Sequence, residues 1–200
     1  MYKGMTMKQV LLINGSKVFN DSKAQLSHTL QEVAKEVLTQ EGFKVLETHI
    51  DEGYDIEEEL QKILTSSLII YQLPAWWMGA PWIVKKYIDE VYTEGEGRLF
   101  KNDGRSSANP SKNYGRGGLA KHIKVMLSVT WNAPLEAFSE KEEFFEGLSV
   151  EMVYLPLRKT HEFIGMTMLP TFMCNDVVKN PQIAAYKASY KAHLQKYCIS

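Results

Sequence analysis

Three of the four tryptophans of this 200-residue chain fall within seven residues, in the segment LPAWWMGAPW from Leu73 to Trp82. Adjacent Trp76 and Trp77 are followed by Met78 and stand among Pro74, Gly79 and Pro81. Neither a period of two nor one of 3.6 puts both indoles on one core face. A loop of this kind suits the face or edge of a flat aromatic ligand, with backbone N–H groups reaching its polar rim. A hydrophobic contact between subunits would use the same residues. A second segment, TWNAPL from Thr130 to Leu135, offers Trp131 and Asn132 to pack against and hydrogen-bond a flat ring. Its plain alternative is a turn capped by Asn132 and Pro134. A third, NGSKVFNDSKAQ from Asn14 to Gln25, supplies Ser16, Asn20, Asp21 and Ser22, with Ser27 just beyond and Lys17 and Lys23 beside them. Where such a loop opens a helix, the free N–H groups form an anion site. The GxxxxGK[ST] pattern of a P-loop is absent, so a phosphate here would rest on the helix start and not on that motif.

Other patterns fail on context. Gly115 to Ala120 fits G-x-G-x-x-A, but it precedes a strand instead of opening a helix after one. His161 and Glu162 begin like a zincin motif, yet Gly165 stands where the second histidine belongs. The five histidines (28, 49, 122, 161 and 193) have no ligand spacing, and no metal is expected. Cys174 and Cys198 have no base or positive cluster near them in sequence and read as buried or tail thiols. No nucleophile elbow appears. What remains is a place for a flat aromatic group, a phosphate-binding helix start and no acid–base machinery. That combination suits a flavin, which carries its own redox chemistry and needs binding and orientation from the protein.

The elements that must position these loops are legible. Gln9 to Asn14 is a continuous apolar strand, as in a sheet covered on both faces. Leu26, Leu30, Val33, Val37 and Leu38 form a helical stripe that stops at Gly42. Lys44 to Ile50 and Ser67 to Gln72 are the second and third strands, separated by a helix with Ile56, Leu60, Ile63 and Leu64 inward. A third helix runs from Pro81 to Val91. A Gly-rich excursion, about 93–121, reads as a mobile lid, a cover from a second subunit, or a surface loop without order. His122 to Val129 is the fourth strand, Glu140 to Gly147 is helical, Met168 to Cys174 is the fifth strand, and Ile183, Tyr186, Tyr190, Leu194 and Tyr197 mark a last helix. Strands alternating with helices imply right-handed crossovers and one parallel sheet. The expected fold is flavodoxin-like α/β, a five-stranded parallel sheet of order 2-1-3-4-5 with helices on both faces, in a single domain over 1–200. Its ligand site lies at the carboxyl ends of the strands, where the three loops converge.

Composition excludes several classes. Hydrophobic residues are 44% and charged residues 24%, ordinary values for a globular domain. Lys+Arg is 23 and Asp+Glu is 24, so a net charge of -1 gives no electrostatic reason to bind nucleic acid or an anionic membrane. No apolar run reaches the roughly 20 residues that span a bilayer, and the start, MYKGMTMKQVLLING, shows no signal-peptide core before its first strand. With two cysteines, the chain reads as reduced and cytoplasmic.

The segments LPAWWMGAPWIVKKYIDEVYTEGEG, DGRSSANPSKNYGRGGL, SVTWNAPLEAF and PTFMCNDV resemble the modulator of drug activity B family, bacterial NAD(P)H:quinone oxidoreductases of flavodoxin-like fold. The resemblance runs from about residue 8 to about 196. It implies tightly bound FAD, NADPH or NADH as donor, a small quinone as acceptor, and a homodimer with the flavin near its interface. It implies hydride transfer to flavin N5 and on to the quinone, in ping-pong order. By position, Ser22, Lys23, Ala24, Gln25, Leu26, Ser27, His28 and Thr29 would hold the pyrophosphate and ADP side. Ala75, Trp76, Trp77 and Met78 would bind the isoalloxazine ring, and Thr130, Trp131, Asn132 and Ala133 would meet it from the fourth loop. Tyr114 would lie over the flavin, from this subunit or the other, and is the nearest candidate for orienting a quinone oxygen. No residue is expected as an obligatory acid or base. Two positions depart from the family pattern: Ala75 and Ala24 stand where the family has glycine. Three other functions stay open: a flavin reductase of azo or nitro compounds, a flavodoxin-type electron carrier, and a flavin-free α/β module that uses the Trp loop as a protein contact. The near-zero net charge speaks against the carrier.

Overall fold

A computed structural model describes residues 8–199. The first seven residues, part of the start read above for a signal core, lie outside the described residues. In chain order the elements are β1 (Gln9–Asn14), α1 (Gln25–Gln40), β2 (Lys44–His49), a 3-10 turn (Ile50–Glu52), α2 (Ile56–Thr65), β3 (Leu68–Pro74), α3 (Trp82–Thr93), β4 (Lys124–Thr130), α4 (Glu136–Ser139), α5 (Val150–Val153), α6 (Leu155–Phe163), β5 (Thr167–Met168), β6 (Phe172–Cys174) and α7 (Ile183–Leu194). The strands pair in the order β2-β1-β3-β4-β5, with β6 also on β4, and every pairing is parallel. This is the flavodoxin-like arrangement expected from the alternation of strand and helix.

The sheet separates two cores because successive strand residues point to opposite faces. Leu11, Ile13, Ile69, Tyr71, Val125, Leu127 and Val129 pack against α2, α3 and α6. Val10, Leu12, Leu68, Ile70 and Met126 pack against α1 and α7. Strands β1, β3 and β4 are buried on both sides, which is why they read as unbroken apolar runs. The stripes of α1 and α3 are buried as their periodicity requires. On α7, Tyr186, Tyr190 and Leu194 are buried while Ile183, at the exposed first turn, is not.

Two expectations are corrected, and two helices are added. The fifth strand is not one run from Met168 to Cys174 but two short strands, β5 and β6. Pro170 has no N–H for the ladder, and the Thr171 N–H turns away to the Glu151 carboxylate at 3.2 Å. Glu140 to Gly147 is a series of turns and not a helix. Glu146 and Gly147 have φ of +53° and +77°, a hand no right-handed helix continues, while Phe145 N–H ties back to the Ala137 carbonyl at 3.0 Å. Helices α5 and α6, between that segment and β5, were not read from the sequence at all; Pro156 stands in the first turn of α6, where it is tolerated.

The Gly-rich excursion is folded. Lys101 N–H donates to the Gly117 carbonyl at 2.9 Å, Leu119 to Leu99 at 2.8 Å, Gly115 to Asp103 at 2.7 Å and Ala120 to Ile164 at 3.0 Å. Two of its glycines, Gly117 and Gly118, serve close backbone approach. A Cβ on Gly117 would sit 1.9 Å from the Asn102 carbonyl oxygen, and one on Gly118 2.2 Å from the Gly165 nitrogen. That accounts for the last two glycines of the Gly-Arg-Gly-Gly run.

Candidate functional site

The three loops converge at the carboxyl ends of β1, β3 and β4. The first is anchored at its root. Asn14 is buried, and its Oδ1 accepts from the Ser16 N–H at 2.9 Å and the Ser16 hydroxyl at 2.6 Å. Gly15 N–H donates to the Gln72 carbonyl at 2.9 Å, and a Cβ on Gly15 would meet Val84 at 2.4 Å. The loop then turns at Phe19 to Ser22, which exchange two backbone hydrogen bonds of 3.1 and 3.0 Å. Helix α1 follows from Ala24, whose φ is +57°; no side chain caps the helix and no acidic residue occupies its first turn. Its first N–H groups therefore face outward with the positive end of the helix dipole behind them. The left-handed φ at Ala24 is the physical reason that glycine suits this position.

The Trp loop is a tight turn. Trp76 and Gly79 exchange backbone hydrogen bonds of 2.9 and 3.1 Å, and between them Trp77 and Met78 both have positive φ, +45° and +63°. Two consecutive left-handed residues that are not glycine are strained. The turn holds the Trp77 indole 97% exposed. Trp76 instead lies against Phe19, ring centroids 5.1 Å apart, joining loops one and three. Ala75 N–H donates to the Thr130 carbonyl at 2.9 Å, joining loops three and four. Loop four is bonded to the segment after β6: Trp131 N–H donates to Cys174 O at 2.8 Å, Val177 N–H to Trp131 O at 3.0 Å, Asp176 N–H to Ala133 O at 2.8 Å, and Val178 N–H to Asn132 Oδ1 at 3.2 Å.

The result is a cavity of about 470 Å³ lined by residues 21–27, Pro74, Ala75, Trp76, Thr130, Asn132, Val177 and Val178. A second hollow of about 320 Å³, walled by Phe19 to Ser22 and Ala75 to Trp77, adjoins it. Of the residues proposed from sequence, Ser22, Lys23, Ala24, Gln25, Leu26, Ser27, Ala75, Trp76, Thr130 and Asn132 line the larger cavity, and Trp77 the smaller. The others lie elsewhere. His28 stacks on His49 at 5.5 Å, and the Thr29 hydroxyl donates to the Gln25 carbonyl at 2.9 Å, one turn along α1. Ala133 packs against the core. Met78 faces a different pocket, toward α3 and α6. The Trp131 side chain is turned inward, 5% exposed, edge-on to Phe138, Phe145 and Tyr154. Its place in loop four is therefore backbone; the indole belongs to the core. Tyr114 is 69% exposed in a cleft between α3 and α6, 5.5 Å from the Phe163 ring with the Arg105 guanidinium 5.6 Å over its own. It does not line the three-loop cavity of its own chain. Phe19, Val177 and Val178 were missed. Their signal was position alone: Phe19 in the loop after β1, and the two valines after the last strand.

The set-aside groups are buried. Burial pushes the Cys174 and Cys198 thiols up to about 12. His161 is fully buried and its pKa falls to about 3, through burial and then the nearby Arg158 charge. Its Nδ1 meets the Tyr92 hydroxyl at 3.0 Å, which meets that of Tyr71 at 3.0 Å.

Comparison with known proteins gives consistent findings. A family model described as the flavodoxin-like fold matches residues 8–197. The chain is 54% identical over 187 residues to the NADPH:quinone oxidoreductase MdaB of Haemophilus influenzae, covering 94% of this chain and 97% of that one. Among solved structures, a Klebsiella pneumoniae protein assigned as a quinone reductase superposes with a TM-score of 0.76 at 23% identity, covering 94% of this chain and 84% of the other. The general stress protein 14 of Treponema denticola, solved in complex with FMN, superposes with a TM-score of 0.65 at 18% identity, covering 96% and 99%. At those identities the two structures establish the fold.

Proposed function

Because the chain belongs to the flavodoxin-like fold family, and by its identity to MdaB to that quinone oxidoreductase family, we propose that it reduces quinones with NAD(P)H on a bound FAD. The observation that carries this reading is one cavity that joins the uncapped start of α1 to the Trp76 loop. Those residues fit a flavin dinucleotide. A diphosphate is anionic and suits the outward N–H groups of α1. A flat heterocycle suits the backbone of Ala75 to Trp77 and the carbonyls and N–H groups of Thr130 to Asn132. A bound flavin supplies the two-electron redox chemistry, which no side chain of the protein provides.

The chain's own residues bind, orient and exclude water. Phe19 and Trp76 close one side of the site, and Val177 and Val178 another. The strained turn at Trp77 and Met78 holds an exposed indole where a planar donor or acceptor can stack on it. Net reaction takes one hydride from NAD(P)H and one proton from solvent, giving NAD(P)+ and quinol. No protein acid or base is required. One shared position for donor and acceptor yields ping-pong kinetics, checked by parallel double-reciprocal lines; intersecting lines would count against it.

The proposal includes a homodimer, in which the partner's copy of the excursion brings Tyr114 over the flavin. Its support is the exposed apolar set Trp77, Met78, Trp82, Tyr114, Met152 and Leu155. It also includes a single domain in the cytoplasm, in keeping with two unpaired buried cysteines; among the described residues no helix is long and apolar enough to cross a membrane. The test is an anaerobic absorbance spectrum with NADPH added, then a quinone. The expected protein is yellow, bleaches with NADPH and recolours with quinone. A yellow protein indifferent to both pyridine nucleotides would make it an electron carrier. A colourless protein that cannot be reconstituted with FAD would overturn the flavin reading.

A further inference from the structure

Two stretches of this nearly neutral chain each carry charge of one sign. From Arg98 to Lys121 stand six Lys or Arg and one acid, Asp103. From Glu136 to Glu151 stand six Glu and one base, Lys141. Asp103 is taken by Arg105 at 2.6 Å, and Arg98 pairs with Glu57 at 2.7 Å. Among the described residues no ion pair involves Lys101, Lys112, Arg116 or Lys121, and none involves Glu140, Glu142, Glu143 or Glu146. The topology keeps the two stretches apart. The basic one joins the end of α3 to the start of β4, at the amino edge of the parallel sheet. The acidic one follows the end of β4, at the carboxyl edge. The 7 residues of β4 set those edges about 23 Å apart. Both stretches are fixed in shape, the first by the Gly115 N–H on the Asp103 carbonyl and the second by the Phe138 and Phe145 rings, stacked at 4.4 Å. Each also presents an exposed aromatic ring, Tyr114 in the first and Phe144 in the second.

What pairs with each stretch is the other stretch of a second copy. A two-fold axis uses the same surface twice, so any contact between two different patches is made at both ends of the interface. An axis through the α3–α6 face turns one subunit end for end. The amino edge of one then lies against the carboxyl edge of the other. Exposed Trp82, Met152 and Leu155, on α3, α5 and α6, supply apolar surface between the two ends. We propose that the basic excursion of one protomer docks on the acidic turn of its partner, twice in each dimer, with Lys112 and Arg116 against Glu142 and Glu143. An apolar centre with a charged rim is the usual anatomy of such a contact. Tyr114 stands between Lys112 and Arg116, so the same docking carries it to the edge where loop four and the three-loop cavity open. The proposal deepens the homodimer of the reading above and rests on it. Because both ends are held by exposed charges, the dimer weakens as salt screens them.

The test is sedimentation velocity on the FAD-loaded full chain. The wild type is expected to be a dimer whose Kd rises between about 0.05 and about 0.5 M sodium chloride. Two double variants reverse the patches: Lys112→Glu with Arg116→Glu, and Glu142→Lys with Glu143→Lys. Alone, each sets like charges together at both contacts, and its Kd is expected to rise on the order of a hundredfold. Mixed in equal amounts, the two variants regain opposite charges at both contacts, and dimers return with a Kd within about threefold of the wild type. Where a double variant fails to fold, Lys112→Glu and Glu143→Lys are compared and mixed in the same way. A wild type that stays monomeric overturns the proposal. So does a dimer that neither reversal weakens, and so does a mixture that stays monomeric. Flavin content and turnover of NADPH with a quinone are read on the same samples. Charge-dependent dimers that neither take up FAD nor reduce quinones would sink the functional reading and leave the docking in place. Yellow, active protein whose dimer ignores both reversals would do the opposite.

Discussion

His161 ought to make this protein acid-sensitive by an amount that can be worked out. It is fully buried on α6 against Tyr71 and Tyr92, and its pKa in the folded chain is about 3. In the unfolded chain a histidine titrates near 6.5. Between those values the unfolded state holds a proton that the folded state refuses. Stability must therefore rise with pH across this window, and be lost as pH falls from 6.5 toward 3. The slope is about 1.4 kcal/mol per pH unit. From pH 7 to pH 5 the loss is about 2 kcal/mol, and to pH 4 about 3 kcal/mol. At pH 4 and above the result depends on the unfolded value far more than on the folded one. The assay is urea unfolding at pH 7, 6, 5 and 4 for the wild type and for His161→Gln and His161→Phe, with flavin content matched. Both variants lose something at pH 7, where the Tyr92 hydrogen bond disappears. Their stability is then expected to fall less steeply than that of the wild type, the gap closing by about 3 kcal/mol at pH 4. Parallel decline of wild type and variants would refute the reasoning, because the titrating group would then lie elsewhere.

Three further outcomes follow from the geometry. Ala24 has φ +57° at the start of α1, so Ala24→Gly is expected to raise stability by about 1 kcal/mol, read as a melting temperature; an unchanged or lower value would mean the strain is not there. Trp77 is almost wholly exposed, so Trp77→Ala should leave stability within about 0.5 kcal/mol while flavin retention in gel filtration falls; full retention would remove Trp77 from the site. Gly118→Ala forces a methyl to 2.2 Å from the α6–β5 backbone, and is expected to cost at least about 3 kcal/mol through overpacking, measured by urea unfolding. A mild effect there would show that the excursion adjusts freely.

The residues of the cavity were largely legible before the fold was seen, because a parallel sheet sends its loops to one edge. Once the apolar runs fixed β1, β3 and β4, Asn14 to Gln25, Leu73 to Trp82 and Thr130 to Leu135 had to meet. Local chemistry also determined that Trp76 and Trp77 could not share one core face; the structure makes Trp77 the exposed one. The family resemblance rested on the second and third of these segments, together with DGRSSANPSKNYGRGGL and PTFMCNDV. Other features had no local signature. Trp131 follows Thr130 in a loop that looks like a ring-binding segment, yet strand alternation turns its indole into the aromatic cluster of Phe138, Phe145 and Tyr154. Tyr114 was drawn toward the flavin by resemblance, while in the chain it packs on Phe163. The glycines at 117 and 118 spelled a nucleotide motif and turned out to serve backbone contacts with Asn102 and Gly165. Periodicity determines which face of an element is apolar, and so the sequence alone determined the parallel strand order β2-β1-β3-β4 and the edge at which the three loops meet. Which side chains meet across elements distant in sequence depends on packing, which has no period; only the tertiary structure could set Trp131 edge-on to Tyr154 in the core.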